Sequence, residues 1–425
     1  MAKAVLNEKK ILVLGAGGRE HALVWHLKNS GEQVECAPGS DAIARLVPTW
    51  SFSSIEDLAQ KLDRHVIREV IVGPEKYLAE GVSEALTAKG ISVWGPSASA
   101  ARLETDKAWA KSFCERHQIP TARAKTVTLP SEIDAALQSF RPPFVVKAAG
   151  LAAGKGVWIG EDASQAAAFA KESLKAHASV VIEEFLDGEE ISYFLLVDGD
   201  RPIFLGGAQD HKRLLENDRG PNTGGMGAYS PVPILSHSLN QKIETRVVEK
   251  VLAGLKNDKL AYRGFLFIGL MIVADEPYVL EFNCRMGDPE TQSVLMTLKS
   301  PLMELIDSLK SGSPVRAQFH SETVGMNVVL AAKGYPDNPE GNFELIGIDQ
   351  PPSGVEVFHA GTAWNGSAWV AKGGRLVAIT TRQASLLDCQ NLLYPWIESL
   401  PFLSHVSFRR DIGVKAYRHW QGLAS

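Results

Sequence analysis

Residues 264–290 constrain the fold of this 425-residue chain more than any other segment. Two apolar runs, 265–273 and 278–282, flank a polar turn, Asp275-Glu276-Pro277. That pattern predicts a strand pair in the body of a sheet. The second run ends Leu280-Glu281-Phe282-Asn283, and Arg285, Gly287, Asp288 and Glu290 follow at once. Residues two apart on a strand share a face, so Glu281 and Asn283 project together. A carboxylate and a carboxamide supply the hard oxygens that Mg²⁺ (or Mn²⁺) accepts. So dense a polar group beside apolar strands points to a metal–nucleotide site.

Composition narrows the classes. The net charge is -5, so no broad basic field draws nucleic acid. The four cysteines are scattered, which argues against a zinc cluster or a disulfide framework and for a reducing cytoplasm. The apolar run 11–14 is too short for a signal peptide, and no run reaches the roughly 20 residues of a membrane span.

Residues 10–100 alternate strand runs (11–14, 33–37, 70–72, 91–94) with helical patterns (20–29, 54–64). The series predicts a Rossmann-like, doubly wound parallel sheet, an α/β N-terminal domain over 1–104. Ligands bind such sheets beyond the strand carboxyl ends. There the chain carries Gly15-Ala16-Gly17-Gly18-Arg19-Glu20, Gly73-Pro74-Glu75 and Gly95-Pro96. From 105 the pattern is α+β, in a core of two subdomains over 105–320. A helix is expected at 106–117, then a small lid-like unit at 124–193. The unit has strands at 124–127, 144–148, 157–160 and 180–185 and a helix at 164–177. Strands at 191–198, 202–208 and 265–282 and a helix at 239–255 complete the core. A strand-rich C-terminal domain, 321–425, follows, with strands at 324–331, 355–360 and 375–381 and a helix at 385–396.

Several segments carry chemistry. Lys147 lies between apolar neighbours on a strand, a costly placement unless its charge has a partner. It leads into a loop with Gly150, Gly154, Lys155 and Gly156, whose amides can cradle phosphate. Gly156 stands where a Walker loop needs Ser or Thr. Beyond Glu183 and Glu184, Phe185 and Leu186 can wall an adenine, and Glu190 can take ribose hydroxyls. Gln209-Asp210-His211-Lys212-Arg213 precedes a glycine-rich run, 220–231, containing Asn222, Thr223, Gly224 and Gly225. Met226 and Tyr229 make that run a structured substrate loop rather than a linker. Gly15-x-Gly17 with Glu35 leaves a nicotinamide-dependent oxidoreductase open, although Glu20 stands where the third glycine belongs. Arg19, behind two glycines at a helix start, suits a phosphate monoester better. Each segment alone also reads as an ordinary turn or hairpin; their order is what is specific.

In that order, Lys107, Lys147, the glycine loop, Glu183 to Leu186, Glu190 and Glu281-x-Asn283 resemble the layout of ATP-grasp enzymes. Gly17-Gly18-Arg19-Glu20-His21-Ala22-Leu23, Gly73-Pro74-Glu75 and the runs 151–157, 209–213, 220–231 and 281–292 narrow the match. From about residue 10 to 418 the chain resembles the phosphoribosylamine–glycine ligases, or glycinamide ribonucleotide synthetases, of purine biosynthesis. The resemblance implies ligation of glycine to 5-phosphoribosylamine, splitting ATP to ADP and phosphate through glycyl phosphate. It implies ATP contacts for Lys107, Lys147, Gly150, Gly154, Lys155, Gly156, Glu183, Glu184, Phe185, Leu186 and Glu190, and Mg²⁺ or Mn²⁺ on Glu281 and Asn283. Catalytic roles fall to Lys147, Asp210 and Arg285. Substrate contacts fall to Gly17, Gly18, Arg19, Glu75, Asp210, Lys212, Asn222, Thr223, Gly224, Gly225, Arg285 and Asp288. A cytoplasmic monomer is expected, in transient contact with neighbouring pathway enzymes and with no nucleic-acid or membrane partner.

Three positions depart from that family's pattern. The stretch 268–271 is apolar where many ATP-grasp enzymes place another metal-binding acid. Ala149 replaces an aspartate, and the connection 171–180 is too short for the usual flap. Two other readings remain beside the oxidoreductase: a non-catalytic nucleotide-binding module, and another ATP-grasp ligase of purine synthesis.

Overall fold

The computed structural model describes residues 10–150, 156–313 and 315–420. The first sheet is parallel, in the order β2-β1-β3-β4. Its strands are β1 (Lys10–Gly15), β2 (Val34–Pro38), β3 (Ile67–Val72) and β4 (Ser92–Trp94). Leu12 and Leu14 feed one buried cluster and Ile11 and Val13 another. Burial on both faces is what a doubly wound sheet demands of its strands. The helix Gly18–Asn29 leaves the end of β1.

A second, antiparallel sheet has β5 (Ala124–Val127), β6 (Phe144–Ala148), β7 (Val157–Gly160) and β8 (Val180–Glu184) in the order β5-β8-β6-β7. The alanine-rich helix Ala163–Ala176 covers it and reaches β8 through 177–179 alone. Residues 189–193, expected in this unit, instead begin β9 (Glu189–Asp198), which belongs to the largest sheet.

That sheet has nine strands. After β9 come β10 (Arg201–Asp210), a separate hairpin of β11 (Arg213–Leu215) and β12 (Arg219–Asn222), then β13 (Gly227–Ser230), β14 (Arg263–Val273) and β15 (Glu276–Asn283). The chain continues with β16 (Val324–Ala332), β17 (Val355–His359), a small hairpin of β18 (Thr362–Trp364) and β19 (Trp369–Ala371), β20 (Arg375–Gln383) and β21 (Val406–Ser407). The large sheet runs β15-β14-β9-β10-β13-β16-β20-β17, with β21 also on β16. Two predictions need correction. The turn between β14 and β15 is the pair Ala274–Asp275, both left-handed (φ 48° and 61°), and Glu276 and Pro277 already pair with β14. The run 220–231 is only partly loop, because Gly227–Ser230 pairs with β10 on one side and β16 on the other.

Alternate residues of β9 face opposite cores. Tyr193 and Leu195 meet the helical run 237–257, and Phe194 and Leu196 meet the helices Glu290–Thr297 and Leu302–Ser311. The polar ends of β10 and β15 are left facing the second sheet and the N-terminal domain. Among the described residues no helix is long and apolar enough to cross a membrane.

Candidate active site

Three lysines converge where the second sheet meets β15. Lys107 opens the helix Lys107–Arg116, which Asp106 caps. Its N–H donates to the Ala149 carbonyl at 2.8 Å and its Nζ to the Gly150 carbonyl at 3.1 Å. Lys147, on β6, pairs with Glu183 Oε2 at 3.0 Å and donates to the Leu280 carbonyl at 3.1 Å. Lys111 takes the other Glu183 oxygen at 3.3 Å. Glu183 is thus the buried charge partner of two lysines. That pairing makes a buried Lys147 tolerable. Glu184 turns outward to Arg123 at 2.7 Å. Beyond it Phe185 is exposed and Leu186 half-buried. Gly156 accepts the Ala148 N–H at 2.8 Å. Gly154 and Lys155 lie outside the described residues.

Lys212 approaches from the far side. It pairs with Glu190 and lies 3.8 Å from Glu281 Oε1. Burial works against the Glu281 charge, but Lys212, Lys147, Lys107 and Arg285 together hold its carboxyl below the usual range. Opposite Glu281 on β14 stands Gly269, where a Cβ would press on Glu281 Cγ at 3.1 Å. The apolar 268–271 stretch therefore makes room for Glu281 and adds no acid. Among the described residues no three His, Cys, Asp or Glu side chains gather as a ready cage for a metal. Glu281 and Asn283 offer two hard oxygens, a donor set that fits Mg²⁺ when nucleotide phosphates and water complete the shell.

Arg285 carries the site into the N-terminal domain. Its Nη2 lies 2.9 Å from Glu104 Oε1 and 3.0 Å from Asn283 Oδ1, and its Nε is 3.5 Å from Glu75. Glu104, which the sequence did not single out, is buried and also accepts the Cys284 N–H at 2.7 Å. Asp210 ends β10. Burial, and then the charge of Glu290, push its carboxyl well above the usual range. Burial also raises Glu290, whose Oε1 accepts Ser192 Oγ–H at 3.0 Å. The loop 223–225 folds over Asp210: a Cβ on Gly225 would strike Pro289 at 2.3 Å and Asp210 Oδ1 at 2.7 Å, so only glycine fits. Thr223 donates from N–H and Oγ1 to the Lys212 carbonyl, both at 2.8 Å. Asn222 pairs with Arg213 across the β11–β12 hairpin. Arg375, also missed from sequence, donates to the carbonyls of Gly224 and Asp288 and meets Asp288 Oδ2 at 3.4 Å. An arginine directly after Gly373-Gly374 was the available signal.

The first glycine turn meets the same region. Gly18 packs beside Gln292 and Asp288, and Arg19 donates to the Met286 carbonyl at 3.2 Å. Glu20 fills the turn: it accepts the Gly17 N–H at 2.7 Å and pairs with Arg19 at 2.6 Å. A pyrophosphate there would face this carboxylate. Glu35, offered as a ribose acid, is buried and bound to Lys10, Trp50 and His65 at 2.6, 2.8 and 2.7 Å. The oxidoreductase reading therefore fails on both of its supports.

A small antiparallel sheet set against the edge strand of a large one, with Lys147 of the first reaching the Leu280 carbonyl and the charge of Glu281 on the second, defines the ATP-grasp class. Three family models match: the phosphoribosylglycinamide synthetase N domain at residues 9–104, its ATP-grasp (A) domain at 105–291 and its C domain at 325–415. The chain belongs to the phosphoribosylglycinamide synthetase family. It is 43% identical to a phosphoribosylamine–glycine ligase of Allochromatium vinosum, over 96% of this chain and 98% of that protein. It is 40% identical to the human trifunctional purine biosynthetic protein adenosine-3, over 96% of this chain but 42% of that protein's length. A solved phosphoribosylamine–glycine ligase of Thermotoga maritima superposes with a TM-score of 0.82 at 32% identity, covering 95% of this chain and 100% of that one. A biotin carboxylase of Campylobacter jejuni shares the fold, with a TM-score of 0.72 at 15% identity over 96% of this chain and 94% of its own.

Proposed function

We propose that this chain joins glycine to 5-phosphoribosylamine at the cost of ATP, giving glycinamide ribonucleotide, ADP and phosphate. One observation supports the reading most: Lys107, Lys147 and Lys212 surround Glu281, with Arg285 and Asp210 beside them. A carboxylate is a poor electrophile, and a triphosphate approaching it is repelled. Unit charges about 4 Å apart interact by roughly 4 kcal/mol at an effective dielectric of 20, so several cations must offset that repulsion. Lys107 and Lys147 hold the phosphates, and Arg285 holds the glycine carboxylate and the acyl phosphate it becomes. Mg²⁺ (or Mn²⁺), bound by Glu281 and Asn283, supplies further charge neutralisation on the phosphates. Asp210, deprotonated, receives the glycine ammonium. Gly17, Gly18, Arg19, Glu75, Asp288 and the loop 222–225 face the phosphoribosylamine. Its amine attacks the acyl carbon, phosphate leaves, and no protein nucleophile is required.

The four buried, unpaired cysteines suit a cytoplasmic enzyme.

ADP is expected to form only when glycine and freshly generated phosphoribosylamine are both present with ATP and Mg²⁺. A coupled ADP assay with each substrate omitted in turn checks this, and ADP formation indifferent to glycine would overturn the reading.

The raised Asp210 carboxyl gives a second expectation. Folding binds a proton there that the unfolded chain would release, so the contribution of this group to stability is largest in acid. It falls as pH rises through the raised value. An arriving ammonium favours the carboxylate, so glycine binding should release a proton between the ordinary carboxylate range and that raised value. Calorimetry with a non-hydrolysable ATP analogue, in buffers of different ionisation heat, reads this directly. Binding heats independent of buffer would count against it.

A further inference from the structure

Residues 409–415 form a strap across the β11–β12 hairpin. Arg409 is only 1% exposed. Its guanidinium donates to the Arg213 carbonyl at 3.1 Å, to Asp218 Oδ1 at 2.8 Å and to both Asp411 oxygens at 2.7 Å. Asp411 also accepts the Asn217 N–H at 2.8 Å, and Lys415 meets the second Asp218 oxygen at 2.8 Å. Asn217 and Asp218 form the hairpin tip, both left-handed (φ 58° and 51°). At the hairpin base the Gly413 N–H donates to His211 Nε2 at 3.2 Å. Ile412 fills the space a Cβ on Gly227 would need, 2.7 Å away. His211 is fully buried, and burial lowers its imidazole to about 3, so it remains a neutral acceptor.

Among the described residues this hairpin pairs with no other strand. An isolated two-stranded ribbon is marginal in water, so its position must come from elsewhere. A buried arginine between carboxylates adds little stability for its desolvation, and the best-supported use of such groups is to fix one geometry. What the hairpin carries is the candidate site: Asp210 and Lys212 enter it, and its far strand leads to Thr223, which is bonded back to the Lys212 carbonyl.

We infer that Arg409 is a positioning residue: the strap 409–415 sets Lys212 and the loop 223–225 where glycine and phosphoribosylamine bind. The inference rests on the functional reading above. Among the described residues, Arg409 and Asp218 have no hydrogen bond or ion pair with those assigned to ATP.

The test uses the full chain. Asp218→Asn, at the half-exposed hairpin tip, should raise KM for glycine and for phosphoribosylamine by about three- to tenfold. KM for ATP should stay within about twofold, and the chain should still melt cooperatively, at a somewhat lower temperature because Lys415 and Arg409 lose one carboxylate while Asp411 still holds Arg409. Arg409→Met should shift the same two constants further, by about tenfold or more, with Arg409→Lys between them because a lysine reaches one carboxylate only. If Arg409→Met does not fold, Asp218→Asn decides. A folded Asp218→Asn with unchanged KM for both amine substrates overturns the inference, as does a parallel rise in KM for ATP. A wild-type chain whose ADP formation ignores glycine would overturn the functional reading instead.

Discussion

Glu281→Gln is expected to lower kcat by about a thousandfold or more while leaving the fold intact. Glu281 stands where Lys107, Lys147 and Lys212 converge, and those cations hold its carboxyl below the usual range. Glutamine keeps the shape and removes the charge. Lys212 is then left with Glu190 and Lys147 with Glu183, and on the proposed reading a bound metal would lose its one carboxylate. The steady-state rate at saturating substrates checks this, alongside circular dichroism and thermal melting. A variant that melts like the parent and keeps a tenth of its turnover would remove Glu281 from the metal site.

The second large effect belongs to Glu104. Arg285 can hold an acyl phosphate only if its fork is aimed, and Glu104 is the buried acid that aims it, at 2.9 Å. Glu75 is more distant, at 3.5 Å, and its side chain is 31% exposed against 5% for Glu104. Removing one partner of a buried pair leaves the other charge uncompensated, at a cost of about 3–5 kcal/mol. Glu104→Gln should therefore lower the denaturant midpoint and reduce kcat by about ten- to a hundredfold, and Glu75→Gln should do much less. Equal effects from the two variants would show that Arg285 is not aimed by Glu104.

Glu104 also shows where sequence reading stops. It lies at the end of a helix whose partner, Cys284, is 180 residues further along the chain, and no local pattern couples the two. Arg409 escaped for the same reason, whereas Arg375 had its signal in the two glycines before it. The strands of the N-terminal sheet were legible because they are apolar runs of the right length between turn residues. The small sheet was legible too, but not the end of its unit, expected at 193: from Glu189 on the chain pairs with β14 and belongs to β9. β13 was hidden because two glycines before it and the proline after it look like loop, while its alternation is only four residues long. Glu281 and Asn283 stood out because strand period alone puts them on one face. Glu183 was legible as a residue of interest, but its pairing was not, since that depends on where Lys111 and Lys147 come to lie.

β13 has a consequence for how such proteins are built. It has β10 on one edge and β16 on the other, so hydrogen bonds cross from the part of the chain before 291 to the part after 325 without a break. Cutting the chain between those parts would bare one edge of β13 and the facing edge of β16, a template for aggregation. The chain is therefore a poor candidate for dissection into independently expressed fragments. It is better suited to being inherited whole, with new activities joined outside it.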